Sequence, residues 1–495
     1  MRIAAIMAAM LCLAAPRVAS ARPPEVQDLR ACAEQALKDW RVPGMAVAVV
    51  RDDAVVLIEG YGVRRLDEPA PVDVDTVFAI GSNTKAFTAA LVAMEVGAGR
   101  MAWDGPVVRY LPDFQLSDPW VTREVTIRDL LVHRTGLARG DLLWHGSGLE
   151  RAEIVRRLRW LPQRLPFRSR YDYNNLGYIV VGEALSAASG VSWDDMIRSR
   201  LFQPLGMTRS STSIVALETL DNVAAPHWIE SGSAVVIPRM NLDNLGAAGA
   251  VNSSAADMAR WLRFQLADGK APDGRVVAPE RPLRTTRTAQ IATPTALDDL
   301  SPTTHFNAYG MGWAQFDYQG RMVLQHTGGV DGMQSEMVLV PEEKFGFVIL
   351  TNAEGHDLSR AMIYRLLDLY LDVPPRDWSN LLLDRFHQDD EAGETSAAPS
   401  APVAPPRPLG DYVGIYADPL YGEVVVTRSG RDLTLAFGPL HRLTLSPHDR
   451  DAFRGLWNHP RLGTSTVVFS QNGDGAVDRL QLDAIGSFIR KPAAP

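Results

Sequence analysis

The sequence predicts an α+β fold in which one antiparallel sheet is flanked by helices and interrupted by a long helical insertion, with a small barrel-like all-β domain at the C-terminus. Three observations predict it. A helical pattern and a hairpin open the chain, while three apolar strands and a helix end its main body near residue 375, so both ends can close one sheet. The stretch between them reads mostly as helices and long loops. Past a proline-rich segment, short runs alternate polar and apolar residues between turn signals, as strands of a small β domain do.

The elements follow in order. Residues 25–40 carry apolar positions at helical spacing, ended by Val42-Pro43-Gly44. GMAVAVVR and AVVLIEGYG are β-branched runs joined by Asp52-Asp53, which reads as a hairpin. Behind Gly81 the pattern SNTKAFTAALVAMEVGAGR begins a long helix. Further helical segments include ERAEIVRRLRWL and SAADMARWLRFQLADG, after which strands return at RMVLQHTGG, MQSEMVLVP and KFGFVILTN, followed by the helix DLSRAMIYRLLDLYLD. Five prolines between 399 and 408 and the absence of periodicity make 391–408 an expected linker. The expected division is therefore a leader at 1–21, a main domain at 22–390, the linker, and a β domain at 409–495.

The leader rests on Arg2, the apolar run IAAIMAAMLCLAA and the small-residue site Ala19-Ser20-Ala21, a pattern that predicts export and cleavage after Ala21. That run is too short to span a bilayer, so no membrane span is expected in the mature chain. A periplasmic or secreted location follows. Hydrophobic residues at 46% and charged residues at 22% match a globular protein, and the net charge of −8, which becomes −10 once Arg2 and Arg17 leave, argues against a nucleic-acid partner. Cys12 departs with the leader. Cys32 then stands alone in a helical pattern, which excludes an intramolecular disulfide and makes a small buried hydrophobe its expected role.

Only five lysines occur against 45 arginines, so a lysine inside an apolar helix is informative. Lys85 is one, three residues after Ser82 and hence on the same helical face. A lysine can be driven by burial to a useful pKa, and a helix N-terminus favours charge developing on an attacked carbonyl. Taken alone, the spacing is also what a serine N-cap and a solvated lysine produce. Two patterns downstream add to it: Tyr173-x-Asn175 ahead of a helix, and His326-Thr327-Gly328-Gly329 at the end of an apolar strand.

In this order the three motifs resemble those of the serine hydrolases that group class C β-lactamases, penicillin-binding proteins and D-aminopeptidases. The segments TIRDLLVHRTGL (126–137), GAAGAVNSSAADMARWL (246–262) and YGMGW (309–313) extend the resemblance over about residues 25–375. The C-terminal segment YVGIYADPLYGEVVVT, with Phe453 beyond it, is similar to the lipocalin-like domain appended to many of these hydrolases. The resemblance implies a β-lactamase/transpeptidase-like fold and an acyl-enzyme on Ser82, with Lys85 as activator and Tyr173 as proton relay. Asn175, His326 and Gly328 would bind substrate, and the backbone N–H groups of Ser82 and Gly329 would form the oxyanion hole.

One position departs from the β-lactamase branch: His326 stands where a lysine typically opens the third motif, and histidine there resembles the D-aminopeptidases and esterases. An imidazole anchors a carboxylate less well than an ammonium does. The expectation is therefore cleavage of small esters or amides, including D-residue peptides, with a β-lactamase or a slowly deacylating penicillin-binding receptor as the alternative. His133 is expected to hold a turn. Leu142, Leu143, Trp144, Trp313 and Phe316 are candidates for an acyl pocket. No HExxH or CxxC spacing occurs, and neither metal nor organic cofactor is expected.

Overall fold

The computed structural model describes residues 24–230, 232–294, 303–395, 407–483 and 485–492. The expected leader lies outside the described residues. Nine strands form the main sheet, in the spatial order Glu68–Pro71, Ala54–Arg65, Gly44–Arg51, Phe345–Thr351, Met333–Val340, Arg321–Val330, Ala314–Tyr318, Asn307–Tyr309 and Ile291–Ala292. Each neighbouring pair is antiparallel, and the first and last parts of the domain meet where Val47 lies opposite Ile349. The sheet is thus closed from both ends of the chain, as the order of elements predicts.

Side-chain alternation divides the interior into two layers. From the Gly44–Arg51 strand, Ala46, Ala48 and Val50 join a core with Met258, Trp261 and Leu262 of the Ala255–Leu266 helix. Met45, Val47 and Val49 join the opposite core, against the helices Pro24–Asp39 and Leu358–Tyr370. A strand buried on both faces reads as an unbroken apolar run, which is why GMAVAVVR shows no polar alternation.

Within the helical insertion, the helix Thr84–Gly97 is buried from Thr84 through Ala93 and lies beside the Asn175–Ser189 helix. The Trp378–Thr395 helix runs through residues 391–395, so the expected linker begins at least five residues too early. A closed eight-stranded barrel follows, its first strand Gly414–Asp418 pairing with its last, Gly486–Arg490. Val424, Val426, Leu433, Leu435, Leu443 and Leu445 alternate into its interior. The barrel lies against the main domain, with Leu142 entering the barrel core and Leu420 the main one. No helix among the described residues is long and apolar enough to cross a membrane.

Candidate active site

Ser82 sits in the short turn Gly81–Asn83 that leads into the Thr84–Gly97 helix. Gly81 adopts φ +49°, and a Cβ there would lie 3.0 Å from the Gly329 nitrogen, so the turn and the third-motif strand touch only because the position is glycine. Gly328 is needed for the same approach: its Cβ would fall 2.0 Å from the Ile80 carbonyl oxygen. The ladder between Ala314–Tyr318 and Arg321–Val330 stops at Gln325, so the end of the latter strand is free of that neighbour where it passes Ser82.

The Lys85 side chain is fully buried and its Nζ has three oxygen neighbours: Ser82 Oγ at 2.9 Å, Asn175 Oδ1 at 2.8 Å and the Ala248 carbonyl at 2.7 Å. Burial pushes Lys85 well below the ordinary lysine range. Two of those neighbours are carbonyls that only accept, so a neutral amine gives both its hydrogens to them and turns its lone pair to the Ser82 hydroxyl. Tyr173 Oη donates to the same Ser82 oxygen at 2.7 Å, and burial raises its phenol above the usual tyrosine range. Ser82 therefore has a buried amine on one side and a phenol on the other.

The loop bearing Tyr173 is held by the 126–137 segment. Thr126 and Asp129 form a capping box, and the buried Asp129 carboxylate takes Arg134 at 2.6 Å and Arg168 at 2.7 Å. His133, at φ +57°, accepts from the Asn174 backbone N–H through Nδ1 at 3.1 Å, and its carbonyl accepts from Asp172 at 2.7 Å. It holds the loop rather than reaching Ser82.

His326 is buried and pushed down to about 3 by desolvation. Its Nδ1–H donates to the Thr327 carbonyl at 2.7 Å, leaving Nε2 to accept from Tyr309 Oη at 2.8 Å. The imidazole is neutral and engaged on both nitrogens. Ser82, Tyr173, Asn175, His326 and Gly329 all line one cleft of about 770 Å³, with Lys85 buried behind it. Gly328 does not line that cleft; it packs against Ile80 and Ser335 and lines a neighbouring cavity with Thr327 and Gly329. Of the acyl-pocket candidates, Leu142 and Trp144 line the cleft, Leu143 and Trp313 lie in the core, and Phe316 lines a separate cavity.

The far wall comes from the barrel. Arg461 and Leu462, in the loop before the Thr464–Gln471 strand, line the same cleft, with Arg461 held by Glu354 and Asp331. Arg139, paired with Asp141, is a second cation at the cleft. Sequence reasoning missed Arg461, Arg139, Asp141 and Tyr309. Tyr309 lies in the recognised YGMGW segment, whereas nothing local to Arg461 marks it, because only the docking of the barrel brings it here.

This fold and this constellation define a serine hydrolase of the β-lactamase type. The Beta-lactamase family model matches residues 29–371, and the chain belongs to that family. A second model, Domain of unknown function (DUF3471), matches residues 398–492. The chain is 32% identical over 427 residues to the Unguisins hydrolase ungD' of Aspergillus campestris, covering 81% of this chain and 77% of that protein. It is 34% identical over 329 residues to Penicillin-binding protein 4 of Amycolatopsis lactamdurans, covering 63% of this chain and 82% of that one. In fold it is similar to the octameric penicillin-binding protein homologue from Pyrococcus abyssi, with a TM-score of 0.63 at 21% identity over 94% of this chain and all of that one.

Proposed function

We propose that the protein is an exported hydrolase that forms an acyl-enzyme on Ser82 and cleaves small esters or amides, peptides with D-residues among them. The observation that carries this reading is the pair of contacts on Ser82 Oγ, from Lys85 at 2.9 Å and Tyr173 at 2.7 Å. As Oγ bonds the substrate carbonyl carbon, the hydroxyl proton passes to the Lys85 amine. The carbonyl oxygen takes up negative charge facing the backbone N–H groups of Ser82 and Gly329. Collapse expels an alkoxide or amine, which is protonated by Tyr173, and the Lys85 ammonium restores the phenol. Water then attacks the ester by the same route and releases the acid.

The neutral, doubly engaged His326 supports the choice of substrate, since it offers no charge to a fixed carboxylate. A substrate carboxylate would instead meet Arg139 or Arg461 at the rim. The relative named Penicillin-binding protein 4 supports a second reading, in which β-lactams acylate Ser82 and leave slowly. A panel of p-nitrophenyl esters, D- and L-alanyl anilides and nitrocefin separates the two. Turnover of esters or D-alanyl anilides at least about tenfold above nitrocefin in kcat/KM is expected. Nitrocefin leading by that margin overturns the substrate assignment, and one stoichiometric burst without turnover on every substrate establishes the receptor.

A further inference from the structure

His145, Asp331 and His459 are far apart in sequence and meet where the barrel lies against the main domain. Asp331 occupies the turn after the catalytic strand, His145 follows the Asp141–Leu143 turn, and His459 comes from the same barrel loop as Arg461. Their potential ligand atoms all lie within 4.8 Å of one another. Asp331 Oδ2 is 2.9 Å from His459 Nε2 and 3.4 Å from His145 Nε2, while Arg461 Nε approaches the other oxygen, Oδ1, at 3.2 Å. One carboxylate oxygen therefore faces two imidazole nitrogens, and its twin meets Arg461 Nε with His145 Nε2 at 3.5 Å.

Those separations have a chemical meaning. Nitrogen and oxygen donors about 2.0–2.1 Å from a tetrahedral zinc ion stand about 3.3 Å from each other, a value the 2.9 and 3.4 Å contacts bracket. His145 Nδ1 lies 3.1 Å from His441 Nε2, which also lies 3.0 Å from the His145 carbonyl. That carbonyl only accepts, so His441 Nε2 carries the hydrogen here, and an ion on His145 Nε2 requires a proton on His145 Nδ1 and a tautomer change in His441. His145 and Asp331 are each 7% exposed. The carboxylates of Asp331 and Glu354 outnumber the single Arg461 guanidinium that they share. His145 and Arg461 also line the cleft, so the cluster adjoins it.

We propose that His145, Asp331 and His459 bind a divalent transition metal of the zinc type that ties the barrel to the main domain beside the cleft. The proposal departs from the expectation of no metal, which rested on local spacing and is blind to ligands from three distant segments. It does not depend on the acyl-enzyme chemistry. The alternative is a purely hydrogen-bonded contact in which both Nε2–H groups donate to Asp331.

The full chain, stripped with EDTA, is titrated with zinc chloride by calorimetry and with cobalt(II) by absorption. The expected result is uptake of one ion per chain, an intense tetrahedral cobalt spectrum and a higher Tm with zinc. His459→Gln and Asp331→Asn, with circular dichroism matching the wild type, each weaken uptake by at least about tenfold. No uptake by the wild-type chain overturns the site without recourse to any variant. Undiminished uptake in both variants overturns the ligand assignment.

Discussion

Three contacts converge on Lys85 Nζ, and the two carbonyls among them leave the Ser82 hydroxyl as the neighbour able to give up a proton. Burial favours the neutral amine, the form that can take it. A guanidinium at this place stays charged and cannot serve as a base. Lys85→Arg is therefore expected to lose about 10³-fold in kcat/KM against a p-nitrophenyl ester although positive charge is retained. Tyr173→Phe should lower kcat by about 10²-fold and leave KM nearly unchanged, because the phenol acts on the proton rather than on substrate binding. Steady-state kinetics of the two variants measures both, and near wild-type turnover in either contradicts the relay.

The elements that deliver these side chains depend on one close approach, between the turn before the Thr84–Gly97 helix and the end of the Arg321–Val330 strand. Gly328→Ala drives a methyl group to 2.0 Å from the Ile80 oxygen, and backbone cannot yield there without moving Ser82. The variant is expected to lose about 1–3 kcal/mol of stability in urea unfolding, together with most of its activity. Stability equal to wild type would show that the approach is looser than described. Much at this scale was legible in the sequence. The buried strand GMAVAVVR and the helix behind Gly81 could be read from apolar periodicity, which is a local signal, whereas the three motifs were legible through their order and their resemblance to a known family. The linker start was misplaced because the helix from Trp378 continues into the polar, low-periodicity residues 391–395. The cleft wall made by Arg461 was illegible, since it comes from docking between two domains and leaves no mark in spacing.

At the scale of the whole molecule, buried imidazoles set the response to acid. His326 is held near about 3 and His356 near about 4, both by burial. Below their ordinary value near 6.5 the unfolded chain binds protons that the folded chain refuses, so stability rises with pH across that window and is lost on acidification. Tm is expected to fall by several degrees between pH 7 and about pH 4.5. His356→Gln should flatten that fall, and an unchanged slope would show that other groups dominate it. The barrel adds a wall to the cleft, the sheet aligns the third motif and the insertion buries Lys85, so all three converge on the proposed covalent chemistry at the Ser82 oxygen. That chemistry is tested most directly by treating the intact protein with a serine-reactive fluorophosphonate and locating the adduct by peptide mass spectrometry. One adduct on the peptide containing Ser82, absent in Ser82→Ala, is the predicted result; labelling that persists at another serine in that variant would contradict it.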